Sequence, residues 1–158
     1  MSHSTDFTME QAGFLTTDEG LIEERRCVAI IDAALPAGKA ANAAAVLALT
    51  TGARHPDLVG EELFDSAGNN HPGLISIGIP VLGAPRDELP SIRRKAADAG
   101  IEVVDFPIQG QQTNDYTEFR RMLKSTDPEK IAYLGLMLLG AKKKVSRIVS
   151  KYSLLRHP

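Results

Sequence analysis

Residues 26–52 restrict the possible folds of this chain more than any other stretch. They read RCVAIIDAALPAGKAANAAAVLALTTG. Residues 27–31 form a short apolar run with β-branched side chains, the pattern of a buried strand. Residues 32–38 turn the chain, punctuated by Pro36 and Gly38. From Lys39 onward the residues are almost all helix formers, dominated by alanine, and Gly52 stops the run. Nearly every side chain in this strand–turn–helix unit is small or apolar, so the unit is expected at the centre of the molecule.

The rest of the chain repeats that alternation. Ile75, Ile77, Ile79 and Val81 alternate with Ser76, Gly78 and Pro80, which predicts a strand with one apolar face and Pro80 at an edge or end. Asp87 is positioned to cap a helix that ends at Gly100, with Leu89, Ile92 and Ala96 turned inward. Residues 101–108 form a further strand. Asp115 opens a short helix carrying Phe119 and Met122. Residues 131–139 are almost uniformly apolar, as in a central strand covered on both faces. Val145, Ile148, Val149, Tyr152 and Leu155 keep helical spacing to the end. The turn-rich segment 65–73 suggests a hairpin tip between 61–64 and 74–77. The order predicts a three-layer α/β/α sandwich on a small four-stranded sheet, mixed or mostly parallel. Residues 26–158 are expected to form one domain, with 1–25 as an acidic, loosely attached N-terminal extension.

Composition narrows the function classes. A formal charge of −2 gives no general pull toward nucleic acid or membrane. No apolar run approaches the roughly 20 residues of a membrane span. The lone Cys27 excludes an internal disulfide and fits a reducing compartment, which predicts a cytoplasmic protein. As a nucleophile Cys27 has no base implied nearby, and a small core residue is the plainer reading. Asp65, Asn69, Asn70 and His71 carry metal-ligand atom types, but their spacing fits neither an EF-hand nor a zinc pattern, so a turn is expected and no metal or cofactor is assigned.

The residues from Pro80 to Asp87, with the helix that follows and Gly100-Ile101, resemble the strand–acidic turn–helix–glycine unit of type II peptidyl-tRNA hydrolases. Leu134, Gly135 and Leu136 are similar to their closing strand, and the alanine-rich run from Ala40 to their first helix. Leu35, Pro36, Gly38, Ala40, Ala41 and Asn42, together with a His71-Pro72-Gly73 turn, resemble an uncharacterised family catalogued as domain of unknown function two thousand. That likeness implies the hydrolase fold and brings no activity with it. The hydrolases place a lysine before the alanine helix and an aspartate and a threonine after the third strand. Here those positions fall on Gly38, with Lys39 one step late, on Gln109, and on Thr113. A one-residue shift at a helix start turns the side chain by about 100°. Glutamine cannot serve as an ionised base.

Ligands of open α/β sheets gather at the carboxyl ends of the strands. Gly38, Lys39, Asn42, Gln109 and Thr113 are therefore the candidate binding residues, and a small anionic or nucleotide-like ligand is the expected occupant, held at the first helix N-terminus. Asn42 is either buried and bonded to nearby backbone or turned toward the ligand. A divergent hydrolase acting on peptidyl-tRNA or a related ester is the alternative. Lys142, Lys143, Lys144, Arg147, Lys151 and Arg156 make the last helix basic. They face solvent, an RNA partner, or the acidic extension of the same chain or of a homodimer partner.

Overall fold

The computed structural model describes residues 14–16 and 22–156. Strand β1 (Phe14–Thr16) pairs antiparallel with the start of β2 (Ile22–Asp32). Helix α1 (Ala37–Arg54) follows, then the short hairpin β3 (Leu63–Phe64) and β4 (Asn70–His71). Next come β5 (Val81–Ala84), α2 (Leu89–Asp98), β6 (Glu102–Pro107), α3 (Tyr116–Lys124), β7 (Tyr133–Ala141) and α4 (Lys142–Val149).

The main sheet is mixed. β2 lies between β5, its parallel neighbour, and β7, which runs antiparallel to both β2 and β6. Of the two expected arrangements, mixed or mostly parallel, the sheet takes the mixed one, because its most apolar strand, β7, runs antiparallel to both neighbours. β7 is buried over its whole length, and that burial gave it the uninterrupted apolar run otherwise typical of parallel strands. Burial of both faces shapes this signature, whatever the direction of the strand.

Side chains of alternating residues build two cores. On one face Val28, Ile30, Leu82, Leu136 and Leu138 meet Leu89, Ile92 and Ala96 of α2 and Val145 and Val149 of α4. On the other, Cys27, Ala29, Ile31, Met137, Leu139 and Phe106 meet Ala40, Ala43 and Leu47 of α1. The register Ile30↔Leu136 and Val28↔Leu138 keeps the two sets apart, since a one-residue slip would exchange them. Small residues let α1 lie close to the sheet. At Gly135 an added Cβ would come within 2.6 Å of Ile31 Cδ1 and 3.2 Å of Leu47 Cδ1. Leu58, Ile75, Ile77 and Ile79 pack on the same side, so the 56–80 segment shares the α1 layer.

Several boundaries move. Strand β2 begins at Ile22, inside the region read as an extension, where β1 offers it a backbone partner. Residues 75–79 face the core at every second position without forming the expected strand; the hairpin closes earlier, at Leu63↔His71 and Phe64↔Asn70. The chain instead turns at Gly78, with φ 71°, before β5 begins. Helix α2 is entered through a 3₁₀ turn, Arg86–Glu88, and no side chain caps it, so Asp87 is not the expected cap. Gly100, at φ 74°, does end that segment. Asp115 caps α3 as predicted, accepting from the Thr117 and Glu118 amides at 2.8 and 3.2 Å. Helix α4 stops at Val149, six residues short of the expected Leu155. The open edge of β5 claims the chain there: Gly83 N–H donates to Ser153 O at 3.0 Å and Leu155 N–H to Val81 O at 2.9 Å. That contact covers an edge otherwise free to pair with another molecule.

Candidate functional site

The carboxyl ends of β2, β5 and β6 lie on one side of the sheet, and the first turn of α1 begins there. Pro36 occupies the N-cap position, where it offers no side-chain acceptor, and the first turn contains no acidic residue. The Ala40 amide makes the first backbone bond of the helix, to Pro36 O at 2.9 Å. The amides of residues 37–39 precede it, on exposed residues. An 18-residue helix left uncapped in this way concentrates its positive dipole end in solvent.

A groove of about 370 Å³ runs beside that turn. Leu35, Ala37, Ala40, Ala41 and Ala44 form one wall; Val81, Leu155 and Arg156 form the other. The second wall exists because residues 153–155 return to β5 instead of continuing α4. Apart from Arg156, the side chains that line the groove are thus all apolar. No aromatic ring lines it.

A second, wide-open cleft adjoins the same edge, lined by Asp32, Ala33, Ala34, Gly83, Ala84, Pro85 and Arg86. Asp32 is only 2% exposed. Its Oδ1 accepts from the Ala34 amide at 2.9 Å and its Oδ2 from Arg86 Nε at 2.6 Å. Because Nε faces Asp32, the outer edge of the half-exposed Arg86 guanidinium is turned away from it. Sequence reasoning missed this pair. The available signal was Asp32 itself, a charge closing an apolar strand. Its partner, 54 residues later, becomes visible only through the parallel pairing Asp32↔Ala84.

None of the five expected binding residues is among those that line the groove. Gly38 and Lys39 are in the exposed first turn, as anticipated. Asn42 is exposed, points off the buried stripe and does not line the groove, so the expectation of a buried amide is corrected. The run of small residues hid the distinction, because alanine is compatible with both faces of a helix. Gln109 is buried; its Nε2 donates to Thr126 Oγ1 at 3.3 Å, and its Oε1 has no hydrogen-bond partner among the described residues. Thr113 Oγ1 accepts from the Asp115 amide at 3.0 Å and organises the turn before α3. Neither Gln109 nor Thr113 lines the groove.

The remaining polar clusters are structural in their geometry. Glu102 accepts from Arg54 Nε and pairs with His55 Nε2, each at 2.5 Å, and those contacts hold its carboxyl below its usual range against the opposing effect of burial. Arg25 reaches Asp57 at 2.5 Å. Lys142 pairs with Glu24 at 2.9 Å and Lys151 with Glu88 at 3.1 Å, so part of the basic C-terminal charge is matched within the chain. The acids of residues 1–13 and 17–21, expected to supply that partner, lie outside the described residues. Burial pushes the Cys27 thiol up to about 11. Among the described residues no group of three or more His, Cys, Asp or Glu side chains is arranged to hold a metal ion. No described helix is long and apolar enough to cross a membrane.

No curated protein matches the chain. Among solved structures it is similar to the protein of unknown function Atu0240 from Agrobacterium tumefaciens strain C58, at 21% identity and a TM-score of 0.76. That likeness covers 85% of this chain and 98% of the other, and it establishes a shared fold. The sequence profile of the family described as "Protein of unknown function (DUF2000)" matches residues 25–156. The chain belongs to that family.

Proposed function

We propose that this protein is a non-hydrolytic binding module whose ligand is a small aliphatic acid, its anionic head at the α1 N-terminus and its apolar body in the adjoining groove. The observation that carries this reading is the uncapped, acid-free first turn of α1 opening beside an apolar groove with Arg156 in its wall. An anion completes the amides of residues 37–39 and neutralises the dipole end; the alanines and Leu155 accept methylene groups. Without an aromatic ring for base stacking, the groove favours an aliphatic acid or phosphate ester over a nucleotide.

The same reading keeps the likeness to type II peptidyl-tRNA hydrolases at the level of architecture. The order of strand β5, the acidic 3₁₀ turn, α2 and Gly100 supports that likeness. Gly38 and Gln109 stand where those enzymes carry a lysine and an aspartate, and Gln109 is engaged with Thr126. Both features argue against ester hydrolysis.

Calorimetric titration with octanoate, octanol and inorganic phosphate tests the proposal. Octanoate should bind one to one, with octanol and phosphate each much weaker. Ala41→Trp, which fills the groove, and Arg156→Ala, which removes the cation, should each weaken octanoate at least tenfold. Absence of octanoate binding at millimolar concentration, or affinity indifferent to both substitutions, refutes it.

A further inference from the structure

We propose that the hairpin between Leu58 and Ser76 is a docking arm for a basic polypeptide segment, which adds as a third strand beside β3. The main sheet takes no part in this hairpin: β3 and β4 form a two-stranded sheet of their own. Ser76 N–H donates to Leu58 O at 3.0 Å, Gly60 N–H to Leu74 O at 2.8 Å and Asp65 N–H to Asn69 O at 3.1 Å, so backbone bonds run from its base to its tip. Leu58, 2% exposed, and Ile75 anchor its feet in the core beneath α1. Every residue from 59 to 72 is exposed.

The arm is built to hold its shape. Asp65 Oδ1 accepts from the Ala67 and Asn69 amides at 2.9 and 3.0 Å and closes the tip. At Gly73 an added Cβ would lie 1.9 Å from Gly60 O, so the two strands pass at a distance that only glycine allows. A two-stranded hairpin by itself is marginal in water. This one leaves Val59, Leu63, Phe64 and Leu74 in solvent, half of the large hydrophobic side chains exposed among the described residues. Apolar side chains gathered in this way and rimmed by charge mark a surface that another molecule covers.

Charge selects the occupant. Residues 55–85 contain four acids and no lysine or arginine. Asp57 is matched by Arg25 and Asp65 by His71, whereas Glu61 and Glu62 have no ion-pair partner among the described residues. Such a surface repels nucleic acid and anionic lipid, and it repels the same arm of a second copy. Successive residues of a strand point to opposite faces, so Glu61 and Glu62 put one acid on each face, and Leu63 and Phe64 one apolar group on each. The complementary segment therefore has two consecutive cations beside two consecutive apolar residues. β3 has no strand on its outer side, and an extended peptide can pair with an open edge of this kind. The β4 side is the poorer edge, because Pro72 has no N–H to donate. No residue of the arm lines the α1 groove, so the proposal stands apart from the ligand reading.

Fluorescence anisotropy tests the proposal on the full chain, with a labelled peptide that sets two lysines on each side of two isoleucines. The peptide should bind with a dissociation constant below about 100 μM at physiological salt. Exchanging its lysines for glutamates should weaken binding at least tenfold. Phe64→Ser, and Glu61→Lys combined with Glu62→Lys, should each do the same to the lysine peptide. Glu129→Lys, an exposed acid outside the arm, should leave it unchanged. Circular dichroism checks that the variants remain folded, as the exposure of these positions allows. As an independent readout, amide hydrogen exchange should slow at residues 62–64 in the complex and not at residues 70 and 71. Weaker binding than stated, equal affinity for the glutamate peptide, indifference to the arm variants, or protection confined to β4 overturns the proposal. A parent chain that sediments above its 17.0 kDa and returns to that mass with Glu61→Lys and Glu62→Lys also overturns it, because the arm then belongs to the basic α4 face of a second copy.

Discussion

Replacing Arg86 by methionine isolates the energetic role of the Asp32 pair. The carboxylate of Asp32 is 2% exposed and has two hydrogen-bond donors, the Ala34 amide and Arg86 Nε. Methionine keeps the aliphatic length of the arginine stem and removes the second donor with its charge. Losing one partner of a fully buried pair costs about 3–5 kcal/mol. Here the arginine is 46% exposed, so water can enter and take over part of the lost bond. The loss should therefore approach that of one charged hydrogen bond, about 2 kcal/mol. For a chain of this length that corresponds to a fall in melting temperature of about 4–8 °C. Urea unfolding of the parent, Arg86→Met, Asp32→Asn and the double variant measures both the loss and the coupling. The double variant should be more stable than Arg86→Met alone, because an amide is cheaper to bury unpaired than a carboxylate. A loss below about 0.5 kcal/mol for Arg86→Met, or a double variant no better than the single, refutes the view that Arg86 compensates a buried charge.

Three further outcomes follow from local geometry. Asp65 is held down to about 2 by the Asn69 side chain and amide and by His71; its folded value lies below the 3.8 of a free carboxyl, so its contribution to the 65–71 turn is complete above that value and disappears as pH falls through about 2. A carboxyl NMR titration should give that midpoint, and Asn69→Ala should raise it; a parent midpoint of 3.8 contradicts the assignment. Cys27, buried with a thiol pushed up to about 11, should resist alkylation by iodoacetamide at pH 8 in the native state and react once unfolded, and rapid native labelling would contradict its placement. Gly135→Ala forces a Cβ to within 2.6 Å of Ile31 Cδ1 and 3.1 Å of Ile30 O, and should cost about 1–3 kcal/mol by urea unfolding; unchanged stability would mean α1 sits further from the sheet.

The layered α/β architecture was legible from the sequence because each element carried its own periodicity. Leu89, Ile92 and Ala96 all point inward as their spacing indicated. Asp115 caps α3 because the capping bond is local. What stayed hidden depended on pairing across the chain. The direction of β7 is set by its neighbours, not by its composition. The end of α4 is set by backbone groups on β5, so the helical spacing of Tyr152 and Leu155 was misleading. At the candidate site, Gly38 and Lys39 lie at the helix start because the turn before them is short. Asn42 and Gln109 fell outside the groove because neither an alanine helix nor an amide-rich loop marks in sequence which side faces a ligand. Asp32 and Arg86 went unseen for the same reason: their link exists only after two strands align.

The placement of β7 has a consequence for how the chain emerges from a ribosome. Its partners β2 and β6 are both complete before Tyr133 is made, yet they do not pair with each other. Until β7 arrives, Val28, Ile30 and Ile31 of β2 border an empty slot in the middle of the sheet, with unpaired backbone groups on both sides. Nascent chains at that stage carry an open hydrophobic edge of the kind that seeds aggregation. Synthesis that stalls before residue 133 thus leaves a product that needs chaperone protection. The interval in which β7 is added, about 0.5–2 s at ordinary synthesis rates, decides whether the polypeptide closes on itself or on a neighbour.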